Sequence, residues 1–153
     1  MLLAPSRVVQ WKQVHEQGGQ RTFVVVLAAG DDVMGSLLAF AREQHLRASS
    51  LTAIGALERV TVAFFDWQTK AYQHIPLDEQ VEVLSLVGDI GEHDGQAAVH
   101  AHIVVGRRDG TTRGGHLVEA TARPTLEVVI VDSPAHLSRR FDPGTGLNLI
   151  RFT

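Results

Sequence analysis

Apolar and polar positions along the chain follow two different periods. Most apolar residues fall into short β-branched or alternating runs, which predict strands. One segment instead repeats its apolar residues with helical spacing. The predicted strands cover residues 8–14, 21–29, 50–57, 59–67, 70–76, 80–87, 97–106, 124–132 and 146–152.

The helical segment runs from residue 33 to about residue 46. It follows the turn Gly-Asp-Asp, whose second carboxylate, Asp32, is placed to cap the first helical turn. The apolar face recurs at positions three or four apart: Met34, Leu37, Leu38, Ala41 and His45. This spacing predicts the main helix of the domain.

Short connections between successive strands favour antiparallel pairing. Segments 80–87 and 97–106 flank the loop GDIGEHDGQ and predict a hairpin. Segments 50–57 and 59–67 predict either a pair of strands or one bent ribbon, with a bulge at Gly55. Residues 107–114 are turn-rich, and 116–122 predict a minor helical turn. We therefore expect an α+β fold with a mixed, largely antiparallel sheet, in a single domain covering residues 1–153.

The composition of the chain excludes several kinds of metal site and catalytic residue. The chain has 153 residues, is 44% hydrophobic and contains no cysteine, which excludes disulfides, thiolate metal ligands and a cysteine nucleophile. No apolar run reaches the roughly 20 residues of a membrane-spanning helix. The opening residues MLLAPSRVVQWK lack the pattern of a signal peptide, so we expect a cytoplasmic protein. The net charge of −3 argues against unaided binding to nucleic acid.

Three of the eight histidines lie in the segment VHAHIVVGRRDGTTRGGHL. His100 and His102 are two apart in a predicted strand, so their side chains share a face, with Cβ atoms about 6–7 Å apart. The glycines Gly114 and Gly115 would let a loop bring His116 alongside them. Three imidazoles could hold a metal ion and leave a fourth position open. Alternatively, the histidines are partly buried side chains bonded to backbone carbonyls.

Two further features complete the candidate site. Glu82 shares a face with Leu84 and Leu86 in a regular strand, so it needs a polar partner and is a candidate general base. An exposed, purely solvated carboxylate is the alternative. Gly114 and Gly115 could also let backbone N–H groups approach a bound anion or small molecule. The chain has no nucleophile elbow, phosphate-binding loop or dinucleotide fingerprint.

Four blocks occur in order between residues 21 and 132: EVLSLVG, HAHIVVGRRDG, GGHL and LEVVIVD. Together with the earlier GDDVMGSLLAFA and ASSLTAIGALERVTVAFFD, they resemble the plants and prokaryotes conserved domain, called PPC. That resemblance implies an α+β domain that assembles as a homotrimer. It also implies a zinc ion held by His100, His102 and His116, although imidazole ligands accept other divalent transition metals as well.

Relatives of this family in plants join the domain to AT-hooks, and many prokaryotic members carry a DNA-binding label. An AT-hook needs an Arg-Gly-Arg-Pro-like core, which this sequence lacks. The resemblance thus implies a free-standing, trimeric binding or regulatory module with a histidine metal site, for which a small-molecule ligand and DNA are the candidate partners. A small zinc-dependent enzyme that activates water at this site is the alternative.

Overall fold

The computed structural model describes residues 9–152 and contains one sheet of nine strands with one helix. Val8, the first residue of the first predicted strand, lies outside the described residues. The elements are β1 (Gln10–Gln17), β2 (Gln20–Ala28), α1 (Val33–Glu43), β3 (Ser49–Asp66), β4 (Ala71–Leu77), β5 (Val81–His93), β6 (Gln96–Gly106), β7 (Thr112–Asp132), β8 (Ser138–Asp142) and β9 (Leu147–Arg151).

Strand order explains how distant segments meet. The sheet runs β1-β2-β7-β3-β5-β8-β9, with β4 added beside β3. Strand β6 pairs with both β5 and β7, so β3, β5, β6 and β7 form a closed circuit of neighbours. All of the pairings are antiparallel except the parallel contact between β5 and β8. The expected fold class, a largely antiparallel mixed sheet with one main helix, is confirmed.

The core lies between α1 and one face of the sheet. Strand β2 alternates buried and partly exposed residues, with Phe23, Val25 and Leu27 fully buried. The neighbouring strand β7 contributes three buried side chains at alternate positions, Leu126, Val128 and Ile130. From the helix, the buried residues are Val33, Leu37, Phe40 and Ala41. The period of two in the strands and of 3.6 in the helix therefore converge on one hydrophobic cluster.

Helix α1 begins as the sequence predicts and ends earlier. The Asp32 carboxylate accepts a hydrogen bond from the Gly35 N–H at 2.8 Å, which caps the first turn. The helix ends at Glu43, and His45 has a positive φ of 54°, which turns the chain away before Leu46.

Within residues 9–152, no helix has the length and apolar character needed to span a bilayer.

Segments 50–57 and 59–67 form the single strand β3 and not a pair of strands, and the predicted bulge at Gly55 is confirmed, because the register shifts there and Gly55 has a φ of 149°. The predicted loop GDIGEHDGQ is mostly strand, because β5 continues to His93 and β6 begins at Gln96. The turn itself is Asp94-Gly95, both with positive φ.

The predicted helical turn at 116–122 is wrong. These residues belong to β7, which runs on through Pro124 to Asp132. Around that proline, the β3 pairing jumps from Leu57↔Ala122 to Gly55↔Leu126, so residues 123–125 form a bulge that holds a proline inside the strand. The bulge divides one long strand into two segments that look unrelated in the sequence.

Candidate metal centre

The three histidines meet where the circuit of strands closes. His100 and His102 lie two apart on β6, and His102 pairs directly with His116 of β7. On its other side, His116 is opposite Ala63 of β3. One ligating atom from each of the three rings lies within 4.8 Å of the others. The structure thus brings all three predicted histidines together, while their role as metal ligands stays a prediction.

His116 reaches the cluster from a strand and not from a flexible loop. Gly114 and Gly115 belong to β7, where it lies between β6 and β3. A Cβ atom at Gly115 would lie 2.6 Å from the Ala63 carbonyl oxygen, and one at Gly114 would lie 2.8 Å from that of Ile103. The glycines are needed because the neighbouring backbones approach so closely. Their predicted ligand-binding role is untested.

The cluster is half-buried and packed ring against ring. The rings of His100 and His116 have centroids 5.2 Å apart, and His102 stands nearly perpendicular to both. Tyr72 of β4 stacks on His116 with centroids 4.7 Å apart. This aromatic contact holds the His116 ring in place. Sequence reasoning missed Tyr72, because only the β3–β4 pairing brings it there.

The surroundings keep two of these histidines neutral. Burial, followed by the neighbouring His100, His102 and His74, lowers the pKa of His116 to about 4. For His100, burial and then the positive charge of Arg139 lower the pKa, while Asp89 opposes them. A neutral imidazole is the form that binds a metal ion. Both rings are therefore in the ligating form at neutral pH.

One buried nitrogen indicates an absent partner. Nδ1 of His116 is buried and has no hydrogen-bond partner among the described residues. A buried polar atom without a partner is costly, and an ordered water or a bound ion would satisfy it. Three nitrogen donors without a thiolate or carboxylate suit zinc, copper, nickel or iron. The residues present therefore fit a transition metal ion.

An ion pair between Arg139 and Asp89 contacts His100 of the cluster. Arg139 of β8 donates from Nη2 to both Asp89 oxygens, at 2.8 and 2.9 Å, and the same nitrogen lies 3.2 Å from Nδ1 of His100. Asp89 stands opposite His100 in the β5–β6 pairing. Neither residue was predicted, since β8 joins β5 through only two residue pairs, Glu92↔Ser138 and His93↔Arg139.

Glu82 lies apart from the cluster. It is exposed and pairs with Gly106, which is four positions along β6 from His102, or about 13 Å at the usual rise of a strand. A register shift between Val83 and Ser85 leaves Leu84 exposed while Leu86 is buried, so the expected shared face of Glu82, Leu84 and Leu86 is wrong. This separation argues against direct contact between Glu82 and the histidines.

Fold and cluster together define a small mixed-sheet domain with one helix and a three-histidine centre. The chain belongs to the Plants and Prokaryotes Conserved (PCC) domain family, the PPC family of the sequence resemblance, whose model matches residues 14–134. The assignment expected from the sequence blocks is confirmed.

Two solved structures share this fold. A provisionally assigned DNA-binding protein from Bacteroides thetaiotaomicron is 32% identical, with a TM-score of 0.86 over 94% of this chain and 97% of that one. A metal-containing protein from Archaeoglobus fulgidus is 29% identical, with a TM-score of 0.81 over 95% of this chain and 99% of that one. Among curated proteins, the bifunctional protein GlmU of Synechococcus sp. is 38% identical over an alignment of length 137 that covers 84% of this chain. The chain spans only 20% of that protein's length.

Proposed function

We propose that this protein is a trimeric, metal-binding module of the PCC family that holds a divalent transition metal, zinc in the first instance, on His100, His102 and His116. The observation that carries the proposal is the convergence of three ligating nitrogens within 4.8 Å of one another. The unpartnered Nδ1 of His116 supports it. So does the metal-containing structural relative from Archaeoglobus fulgidus.

Elemental analysis of untagged protein tests the metal site. We expect near-stoichiometric transition metal in the wild-type protein and none in the His100→Ala/His102→Ala variant. The matched control is His15→Ala/His136→Ala, which removes two exposed histidines outside the cluster and should leave the metal content unchanged. Protein that stays free of metal after incubation with zinc, copper, nickel and cobalt would refute the proposal.

An exposed apolar surface supports assembly of several copies. Five aliphatic side chains on neighbouring strands β3, β5, β6 and β7 are between 41% and 61% exposed: Ile54, Leu84, Val87, Val104 and Val129. We call these five residues the outer apolar face. Val129 and Val87 flank Thr52 in register, and Val87 pairs with His102. Contiguous exposed apolar residues commonly mark protein contacts.

Light scattering tests this assembly. We expect the wild-type protein to have the mass of three chains and the Ile54→Glu/Val87→Glu variant to dissociate. Phe141→Glu, which replaces an exposed aromatic residue on β8 outside the outer apolar face, is the control and should keep the wild-type mass. A monomeric wild-type protein would remove the trimer from the proposal.

A regulatory role in the cytoplasm fits such a module better than direct binding to DNA. The chain carries a net charge of −3, and assembly would multiply that charge. The structural relative assigned to DNA binding keeps DNA among the partners to be tested. A gel-shift titration with AT-rich duplex at low salt is the measurement. Affinity that falls steeply with added salt would favour DNA binding over the small-molecule partner.

An enzymatic function is the second candidate, favoured by a cavity beside the neutral histidines. His100, His102 and His116 would hold the zinc ion, which would supply Lewis-acid activation of water. The chain's own contribution would be to hold the rings in place, through Tyr72 on His116 and through Arg139 on His100. Hydrolysis of model esters that is lost with the metal would favour the enzyme. Because Glu82 pairs four positions along β6 from His102, Glu82→Gln should leave that activity unchanged.

A further inference from the structure

A cavity of about 350 Å³ lies between the histidine cluster and the β8–β9 hairpin. His100, His116 and Tyr72 form one wall, and residues 146–149 of the hairpin form another. This volume falls within the range of small-molecule sites in proteins. The cavity therefore offers a ligand direct access to the surroundings of the proposed metal.

The charge of the lining favours an anion. Among the described residues that line the cavity, none is acidic, and Arg139 is the one permanently charged side chain. Arg139 is only 10% exposed, and its Nε is buried without a hydrogen-bond partner among the described residues. Its Nη1 donates to the Asn148 carbonyl oxygen at 3.0 Å and its Nη2 to Asp89, which fixes the guanidinium and balances part of its charge. The second N–H of Nη1 can donate to a ligand oxygen.

The remaining lining favours a ligand with an apolar part. The lining includes Ala98 and Val99 of β6, Leu147 and Leu149 of β9, and Tyr72 beside His116. An inorganic oxyanion would leave these surfaces without contacts. A carboxylate that bears a short aliphatic or aromatic body would bury them.

We infer that this cavity binds a small monocarboxylate, whose carboxylate lies beside Arg139 and the metal-binding histidines and whose apolar body contacts β6 and β9. The inference rests on the proposed function in one respect, because a divalent ion on the three histidines adds to the attraction of the carboxylate. The other contacts with the ligand come from the chain itself, from Arg139 to the carboxylate and from the apolar cavity lining to the aliphatic or aromatic body.

Calorimetry on zinc-loaded protein tests the inference with acetate, butyrate, benzoate and inorganic phosphate as the probes. Butyrate should bind on the order of tenfold more tightly than acetate, since each buried methylene contributes about fourfold. Benzoate should bind at least as tightly as butyrate. Phosphate binding as tightly as butyrate would overturn the inference, as would the absence of any carboxylate binding to protein that has taken up zinc.

Three variants that each lower the net charge by one locate the site. Arg139→Gln and Asn148→Asp should each weaken butyrate binding about tenfold or more. Arg140→Gln, which changes the exposed neighbour of Arg139 outside the cavity lining, should leave it unchanged. Because Arg139 also contacts His100, zinc uptake is measured first for every variant. Equal weakening by all three variants would overturn the inference.

Failure of the proposed function gives a different result. If no metal binds but butyrate still binds and responds to Arg139→Gln, the metal site is refuted and the carboxylate site stands. If zinc binds in stoichiometric amount and no carboxylate does, the metal site stands and the carboxylate site is refuted.

Discussion

Acid should destabilise the metal-free protein chiefly through His116. Its pKa is about 4 in the folded protein, against a reference value of 6.5. As pH falls below 6.5, the unfolded imidazole binds a proton that the folded one does not, so stability present above that pH is lost as pH falls through about 4. The lowered pKa of His100 acts in the same direction.

The size of the effect follows from the shift. At about 1.36 kcal/mol for each pKa unit, the full difference corresponds to about 3.4 kcal/mol. Solvent reaches part of the His116 ring, and screening reduces this figure to about half, on the order of 1.5 kcal/mol. This amount is a substantial fraction of the 5–15 kcal/mol typical of a domain.

Urea unfolding of EDTA-treated protein measures the effect, at neutral pH and at about pH 4. Wild-type protein should lose about 1.5 kcal/mol more than His116→Gln over this range. The carboxylates Asp66 and Asp109, whose pKa values hydrogen bonds hold below the reference value, are outside the cluster and add the same loss to both proteins. Equal losses in the two proteins would refute the reasoning.

Three substitutions test the packing around the core and the site. Asp132→Ala should lower the free energy of unfolding by about 3 kcal/mol, because it leaves Arg21, now paired at 2.8 Å, without its buried partner. Urea unfolding measures this loss, and Asp132→Asn should lose less stability than Asp132→Ala. Leu37→Ala should cost about 3 kcal/mol by opening a cavity beneath α1, in the same assay. Gly115→Ala should cost about 1–3 kcal/mol and reduce zinc uptake, because its methyl group meets the Ala63 carbonyl oxygen beside the histidines; calorimetry with zinc measures the second effect.

The strands were predictable where their side chains alternate or are β-branched. Residues 21–29 predict β2 closely, because Phe23, Val25 and Leu27 share its buried face. Strand β7 was not predictable as one element. Its proline sits in a bulge that only the pairing with β3 accommodates, and its first half packs small residues, Ala120 and Ala122, that carry little strand signal.

The candidate site was predictable where it depends on local geometry. Strand parity alone places His100 and His102 on one face. The approach of His116 was also predicted, but for a different reason: the glycines permit tight strand packing, and no flexible loop is involved. Arg139 could not be predicted, because β8 is far from β6 in the chain and its two-residue contact with β5 depends on tertiary packing. Asp89 was missed because residues 88–96 were interpreted as a loop, whereas they extend the β5–β6 hairpin and place Asp89 opposite His100.

Metal binding and closure of the strand circuit should be coupled. The pairing of β6 with β7 covers only five residue pairs and ends at His102↔His116. A metal ion held by both strands would clamp this short ladder at its end, in addition to stabilising the fold by about 2.7 kcal/mol at one hundred times the dissociation constant. Amide hydrogen exchange in residues 112–116 should therefore slow with zinc more than exchange in the long β2–β7 ladder. Uniform slowing across the sheet would indicate that zinc stabilises the fold without clamping this junction.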